Sequence, residues 1–96
     1  MKYSGQSIGV IGGGAWGTAL AQLLASNGRK TLLWAREEDV VKSINNDNEN
    51  KTFLAGIKLD ESLKATNDLQ EAAACDVWGI AEEGRIGGGS HNCTEK

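Results

Sequence analysis

The sequence predicts an α/β fold with a parallel sheet, and three observations predict it. A short β-branched run from Ile8 to Ile11 ends on a glycine cluster. An amphipathic stretch with helical spacing follows, and a second apolar run occupies Thr31 to Trp34. Two strands joined by a helical crossover of this length pair in parallel, with a right-handed connection. The expected core of the fold is therefore one βαβ unit.

Each element has its own signal. Ile8 to Ile11 is short and apolar, as a strand buried in a parallel sheet is. From Ala15 to Asn27 the period changes: Trp16, Ala19, Leu20, Leu23 and Leu24 recur at three and four residues, which predicts a helix with that face turned inward. Gly28 is positioned to end it as a left-handed cap. A second helix is predicted from Glu37 to Ile44, because Glu37, Glu38 and Asp39 favour the positive helix start while Val40, Val41 and Ile44 share a face. The polar run from Asn45 to Asn50 is its exit. Residues 53–66 are irregular, with a short strand expected at Leu63 to Thr66. Asn67 followed by Gln70 predicts a third helix start, with Leu69, Ala72 and Ala73 as its apolar side up to Cys75. Val77 to Ala81 is the next strand. Beyond it, Glu82 to Lys96 carries only Ile86 as an aliphatic residue among Gly84, Gly87, Gly88 and Gly89, so residues 82–96 are expected to form a disordered tail.

A chain of 96 residues, 40% hydrophobic and 24% charged, describes one soluble globular unit and excludes a multidomain enzyme. No apolar stretch approaches the roughly 18 residues of a membrane span. Met1 to Gln6 is polar, without the basic-then-apolar order of a secretory signal, so a cytoplasmic location is expected. Cys75 and Cys93 lack the paired spacing of a zinc or redox motif and read as reduced thiols. His91 and Cys93 are two donors in a flexible tail and do not make a metal site. The net charge of −3 hides an asymmetry: residues 1–36 hold Lys2, Arg29, Lys30 and Arg36 and no acid, whereas residues 37–96 hold six bases against thirteen acids. The first third is the natural seat of an anion. An acidic overall balance without a basic, aromatic-interleaved run argues against nucleic acid and for a small phosphorylated ligand.

Gly12, Gly14 and Gly17 form G-x-G-x-x-G at the junction of the first strand and first helix, the context that makes this spacing a dinucleotide-binding fingerprint. Gly12 permits the tight turn, Gly14 leaves no side chain where a pyrophosphate approaches, and Gly17 lets helix and strand pack closely. The ligand's charge then meets the free amides and positive dipole end of the helix. The competing reading is a glycine-rich turn in an unrelated α/β protein. Trp16 is a packing residue whose backbone amide faces the ligand. At the end of the second strand, where an NAD-selective site places an acid, this chain has Arg36. Its guanidinium suits a 2′-phosphate or stacking on adenine, which favours NADP over NAD, against the alternative of an exposed arginine pairing with Glu37 or Asp39.

The stretch from Gly12 to Ala21, with Trp16, Gly17, Thr18 and Ala19 at its centre, resembles the opening of bacterial-type NAD(P)-dependent glycerol-3-phosphate dehydrogenase. Leu33, Trp34, Ala35 and Arg36 match as well, as do Asn50, Phe53, Leu54 and Gly56 in a segment like the family's N-x-x-Y-L-P-G, and the run from Leu63 to Leu69. The resemblance covers about residues 7 to 77. It implies a Rossmann fold, here partial and occupying residues 1–81, with the family's helical substrate domain absent. It implies cofactor contacts for Gly12, Gly13, Gly14, Ala15, Trp16, Gly17 and Arg36, and interconversion of glycerol 3-phosphate and dihydroxyacetone phosphate for phospholipid synthesis.

Departures accompany the matches. Ala55 stands where the family has proline, and beyond Val77 similarity is lost abruptly at Trp78 to Gly84. That loss reads as a truncated or frameshifted product. The family's catalytic lysines and substrate contacts lie past this point, so no catalytic residue is nominated and this chain alone is expected to be inactive. A non-catalytic dinucleotide-binding remnant or module is the alternative. A different small NADP-linked dehydrogenase is disfavoured by the two tryptophan-containing matches.

Overall fold

The computed structural model describes residues 7–82 and 85–90. The elements run β1 (Ser7–Ile11), α1 (Ala15–Ser26), β2 (Lys30–Trp34), α2 (Glu38–Asp47), β3 (Lys64–Thr66), α3 (Leu69–Ala73), β4 (Val77–Glu82) and β5 (Arg85–Ser90). The sheet order is β3-β2-β1-β4-β5, the first four strands parallel and β5 antiparallel to β4. The expected partial Rossmann architecture is therefore present. The chain steps outward from β1 to β2 and β3, then returns to the other side of β1 with β4. That reversal makes the gap between β1 and β4 the topological switch point, where open α/β sheets bind ligands beyond the carboxyl ends of their strands.

One buried row crosses the parallel sheet, because Val10 stands opposite Leu33 and Leu33 opposite Ala65. All three are almost inaccessible, and Ala21, Val40 and Ile44 belong to the same core cluster. On the opposite side, α3 lies so close to β1 that a Cβ on Gly9 would overlap the Ala72 carbonyl. The starts of β1 and β4 are clamped by reciprocal bonds: Ser7 N–H donates to Asp76 Oδ2 at 3.1 Å, and Asp76 N–H donates to Ser7 Oγ at 3.1 Å.

The first helix ends where predicted, whereas α2 runs on to Asp47, three residues past the expected end at Ile44. Gly28 follows α1 with φ +86, a left-handed conformation open to glycine. Asn48 closes α2 in the left-handed conformation with φ 55, and its N–H donates to Ile44 O, four residues back, at 3.1 Å. The third helix starts one residue later than the Asn67 reading: Asp68 is the cap, and its Oδ1 accepts from Gln70 N–H at 3.0 Å.

Two expectations are corrected. α1 buries Gly17, Thr18, Ala21 and Ala25, while Trp16 and Leu23 are each 57% exposed. At 100° per residue, the buried face is rotated about a third of a turn from the one its large residues mark. The cause is the closeness of α1 to the sheet: a Cβ on Gly17 would overlap the Gly12 carbonyl oxygen, so only small residues fit along the contact. The second correction concerns the tail. Arg85–Ser90 is a strand paired with β4 from Glu82–Arg85 to Val77–Ser90, where composition predicts disorder. A sheet edge offers unpaired backbone groups, and backbone hydrogen bonding needs no apolar side chain from the incoming strand. The remaining tail positions, including His91 and Cys93, lie outside the described residues.

Candidate functional site

The glycine turn connects β1 to α1 at the carboxyl edge of the sheet. Gly12 has φ +133, and a Cβ there would overlap the Ala81 carbonyl of β4. Its N–H donates to Trp34 O at 3.0 Å, joining the turn to the end of β2. Gly13 is buried, and a Cβ on it would overlap that of Ala35. Gly17 is held against Gly12, as described. The chain's own packing thus demands glycine at these three positions.

Gly14 differs. A Cβ on Gly14 would meet nothing within 4 Å. Its φ of −76 and ψ of −169 are extended values that any residue adopts. Neither contact nor conformation within the chain requires glycine here, so the open space beside it is the cradle that a side chain would fill. Gly14 is also the N-cap of α1, with no side chain capping this end and no acidic residue in the first turn. The leading amides of a helix lack intrahelical partners. An uncapped, acid-free start leaves them and the dipole for an external anion.

Ala15 and Trp16 follow at the exposed start of the helix. Arg36 sits just beyond β2, one residue after the Ala35 that abuts Gly13, so its backbone is on the same rim. It is 83% exposed and 3.6 Å from Glu37 Oε2. Such an exposed pair contributes little and is screened by salt, so it leaves the guanidinium available to a stronger anion. Trp34 is half-buried, and its indole N–H has no partner among the described residues. Gly12 to Gly17 and Arg36 are therefore brought to one edge of the sheet.

Sequence reasoning missed a residue behind the turn. Asn50 is completely buried. Its Nδ2 donates to Gly13 O at 2.9 Å and to Thr18 Oγ1 at 2.8 Å, while its Oδ1 accepts from Phe53 N–H at 3.0 Å. Thr18, also completely buried, donates its hydroxyl toward Gly13 O at 3.4 Å. The family-like segment beginning at Asn50 was the only sequence signal for it. No group of three or more metal-ligating side chains occurs among the described residues.

The family model described as NAD-dependent glycerol-3-phosphate dehydrogenase N-terminus matches residues 7–81. The chain belongs to this family. Glycerol-3-phosphate dehydrogenase (NAD(P)+) of Parvibaculum lavamentivorans is 53% identical over 77 residues, covering 80% of this chain and 23% of the relative. The Sphingopyxis alaskensis protein of that name is 58% identical over 72 residues, covering 75% of this chain and 21% of the relative. Among solved structures, the glycerol-3-phosphate dehydrogenase of Coxiella burnetii matches with a TM-score of 0.64 at 39% identity, covering 70% of this chain and 21% of that one. The Plasmodium falciparum glycerol-3-phosphate dehydrogenase matches with a TM-score of 0.73 at 26% identity, covering 82% and 25%. The chain thus spans about a quarter of the length of its relatives, and what it shares with them is the N-terminal region of the family.

Proposed function

We propose that this chain is the dinucleotide-binding portion of a glycerol-3-phosphate dehydrogenase, an oxidoreductase that interconverts glycerol 3-phosphate and dihydroxyacetone phosphate. The observation that carries the reading is Gly14: the one glycine of the turn that nothing in the chain requires borders the uncapped start of α1. A pyrophosphate would occupy that space, held by the amides of Gly14, Ala15, Trp16 and Gly17. Gly12 and Gly13 shape the turn beneath it. The cofactor supplies the hydride, and the protein supplies position and field. NADP is favoured over NAD because the rim carries the exposed Arg36 guanidinium, a partner for a 2′-phosphate. The reading extends to phospholipid precursor supply in the cytoplasm. No helix among the described residues is long and apolar enough to cross a membrane.

Calorimetric titration of the 96-residue chain with NADP and NAD tests the binding assignment. Saturable binding of both, tighter for NADP, is the expected result. No saturable binding of either would overturn it.

A further inference from the structure

We infer that Asn50 is a positioning residue for the dinucleotide: its buried carboxamide holds the Gly13 carbonyl inward and thereby aims the Gly14 amide outward at the phosphate. The inference rests on the dinucleotide reading of the glycine turn and goes a step past it, to what fixes the turn's orientation.

A trans peptide is planar, with C=O and N–H pointing in opposite directions. No peptide among the described residues is cis. The Gly13 carbonyl and the Gly14 N–H belong to one such plane. Anchoring the carbonyl to Asn50 Nδ2 at 2.9 Å on the buried side turns the N–H toward the side where Gly14 borders open space. Glycine on both sides of this peptide offers little steric resistance to its rotation, because neither residue has a Cβ. A flipped plane would present a carbonyl oxygen, rather than an N–H, to an incoming anion. The anchor, with the Thr18 hydroxyl bonded to the same oxygen at 3.4 Å, is therefore what keeps the turn a donor.

The anchor is itself locked. A primary amide has two donors and one acceptor oxygen. In Asn50 both donors are engaged, by Gly13 O and Thr18 Oγ1, and the oxygen receives Phe53 N–H. Rotating the carboxamide by half a turn would set oxygen against oxygen at Gly13 and N–H against N–H at Phe53. The Leu54 N–H donates to Asn50 O at 2.9 Å, so the backbone of the residue is held too.

Asn45 is the natural control. Its Nδ2 donates to Ala65 O at 2.9 Å and its Oδ1 accepts from Ala65 N–H at 2.8 Å, a two-bond clamp between α2 and β3 that does not touch the turn. The experiment compares the full chain with Asn50→Asp and with Asn45→Ala, titrating each with NADP and NAD, following thermal unfolding, and recording the Gly14 amide resonance without ligand. Asn50→Asp keeps the acceptor for Phe53 but sets a carboxylate oxygen against the Gly13 carbonyl. It is expected to weaken both cofactors equally, by about tenfold or more, and to shift the ligand-free Gly14 resonance. Asn45→Ala is expected to lower the unfolding temperature and leave affinity and the Gly14 resonance unchanged. Unchanged affinity in Asn50→Asp beside a binding wild type would overturn the inference alone, as would an equal loss in Asn45→Ala. A wild type that binds neither cofactor would instead overturn the dinucleotide reading beneath it. Should Asn50→Asp not fold, hydrogen exchange of the Asn50 carboxamide in the wild type decides. Binding and anchoring are reciprocal, so NADP is expected to slow that exchange, and an unaltered rate would contradict the role.

Discussion

On the inner wall of the glycine turn, Gly12, Gly13 and Gly17 are each hemmed in by neighbouring backbone or side chain, whereas Gly14 on the outer lip faces open space. The same residue type answers two different needs a few positions apart. Inside, the missing Cβ lets α1, β2 and β4 close on one another. Outside, it leaves room for something the chain does not contain. On the proposed reading a packing motif and a binding motif are interleaved, and only the packing glycines have contacts within the chain that require them.

The largest effect belongs to the inner wall. Gly17→Val places a branched side chain against the Gly12 carbonyl and near the Ala81 carbonyl, both of them backbone that cannot turn aside. Overpacking of this kind costs about 1–3 kcal/mol, occasionally more, a large part of a small domain's stability. The variant is expected to lose its cooperative unfolding transition, measured by circular dichroism. A wild-type transition would break the distinction between wall and lip.

The next effect belongs to the lip. Arg36→Glu is expected to weaken NADP roughly tenfold to a hundredfold more than NAD, the range of one charge-assisted bond. Competition titration reads this directly. Equal losses for both cofactors would replace the 2′-phosphate role by stacking on the shared adenine, and no loss would leave Arg36 a solvated partner of Glu37.

The smallest effect lies away from both. The Ser62 hydroxyl and N–H hold the Asp60 carboxyl below the ordinary carboxylate range. A lowered folded-state value contributes stability above the unfolded value and loses it as pH falls through the folded one. Ser62→Ala is therefore expected to lower the unfolding temperature slightly at neutral pH, with the difference from wild type shrinking in acid. Unfolding curves across that range check it, and cofactor affinity should not move.

The βαβ unit was legible because Ile8 to Ile11, the Gly12 to Gly17 spacing and Thr31 to Trp34 carry signals of adjacent residues, read without knowing what lies across the sheet. The buried face of α1 was not. Periodicity weighs Trp16 and Leu23 by size, while the close approach at Gly17 selects for smallness, a property of the partner surface rather than of the helix. β5 was illegible for a related reason: its pairing follows from the free edge of β4, and its glycines carry almost no strand propensity. Asn50 lay hidden among Asn45, Asn46 and Asn48, since nothing local separates a buried asparagine from a solvated one. Its role depends on Gly13 and Thr18, which are brought to it only by the fold.

The most direct test of the central claim is Gly14→Val measured twice, by thermal unfolding and by titration with NADP and NAD. A side chain there meets nothing in the chain but fills the space assigned to the pyrophosphate. The account predicts an unfolding temperature close to wild type and the loss of binding to both cofactors. Undiminished affinity in the folded variant would show that the space beside Gly14 is not where a dinucleotide sits.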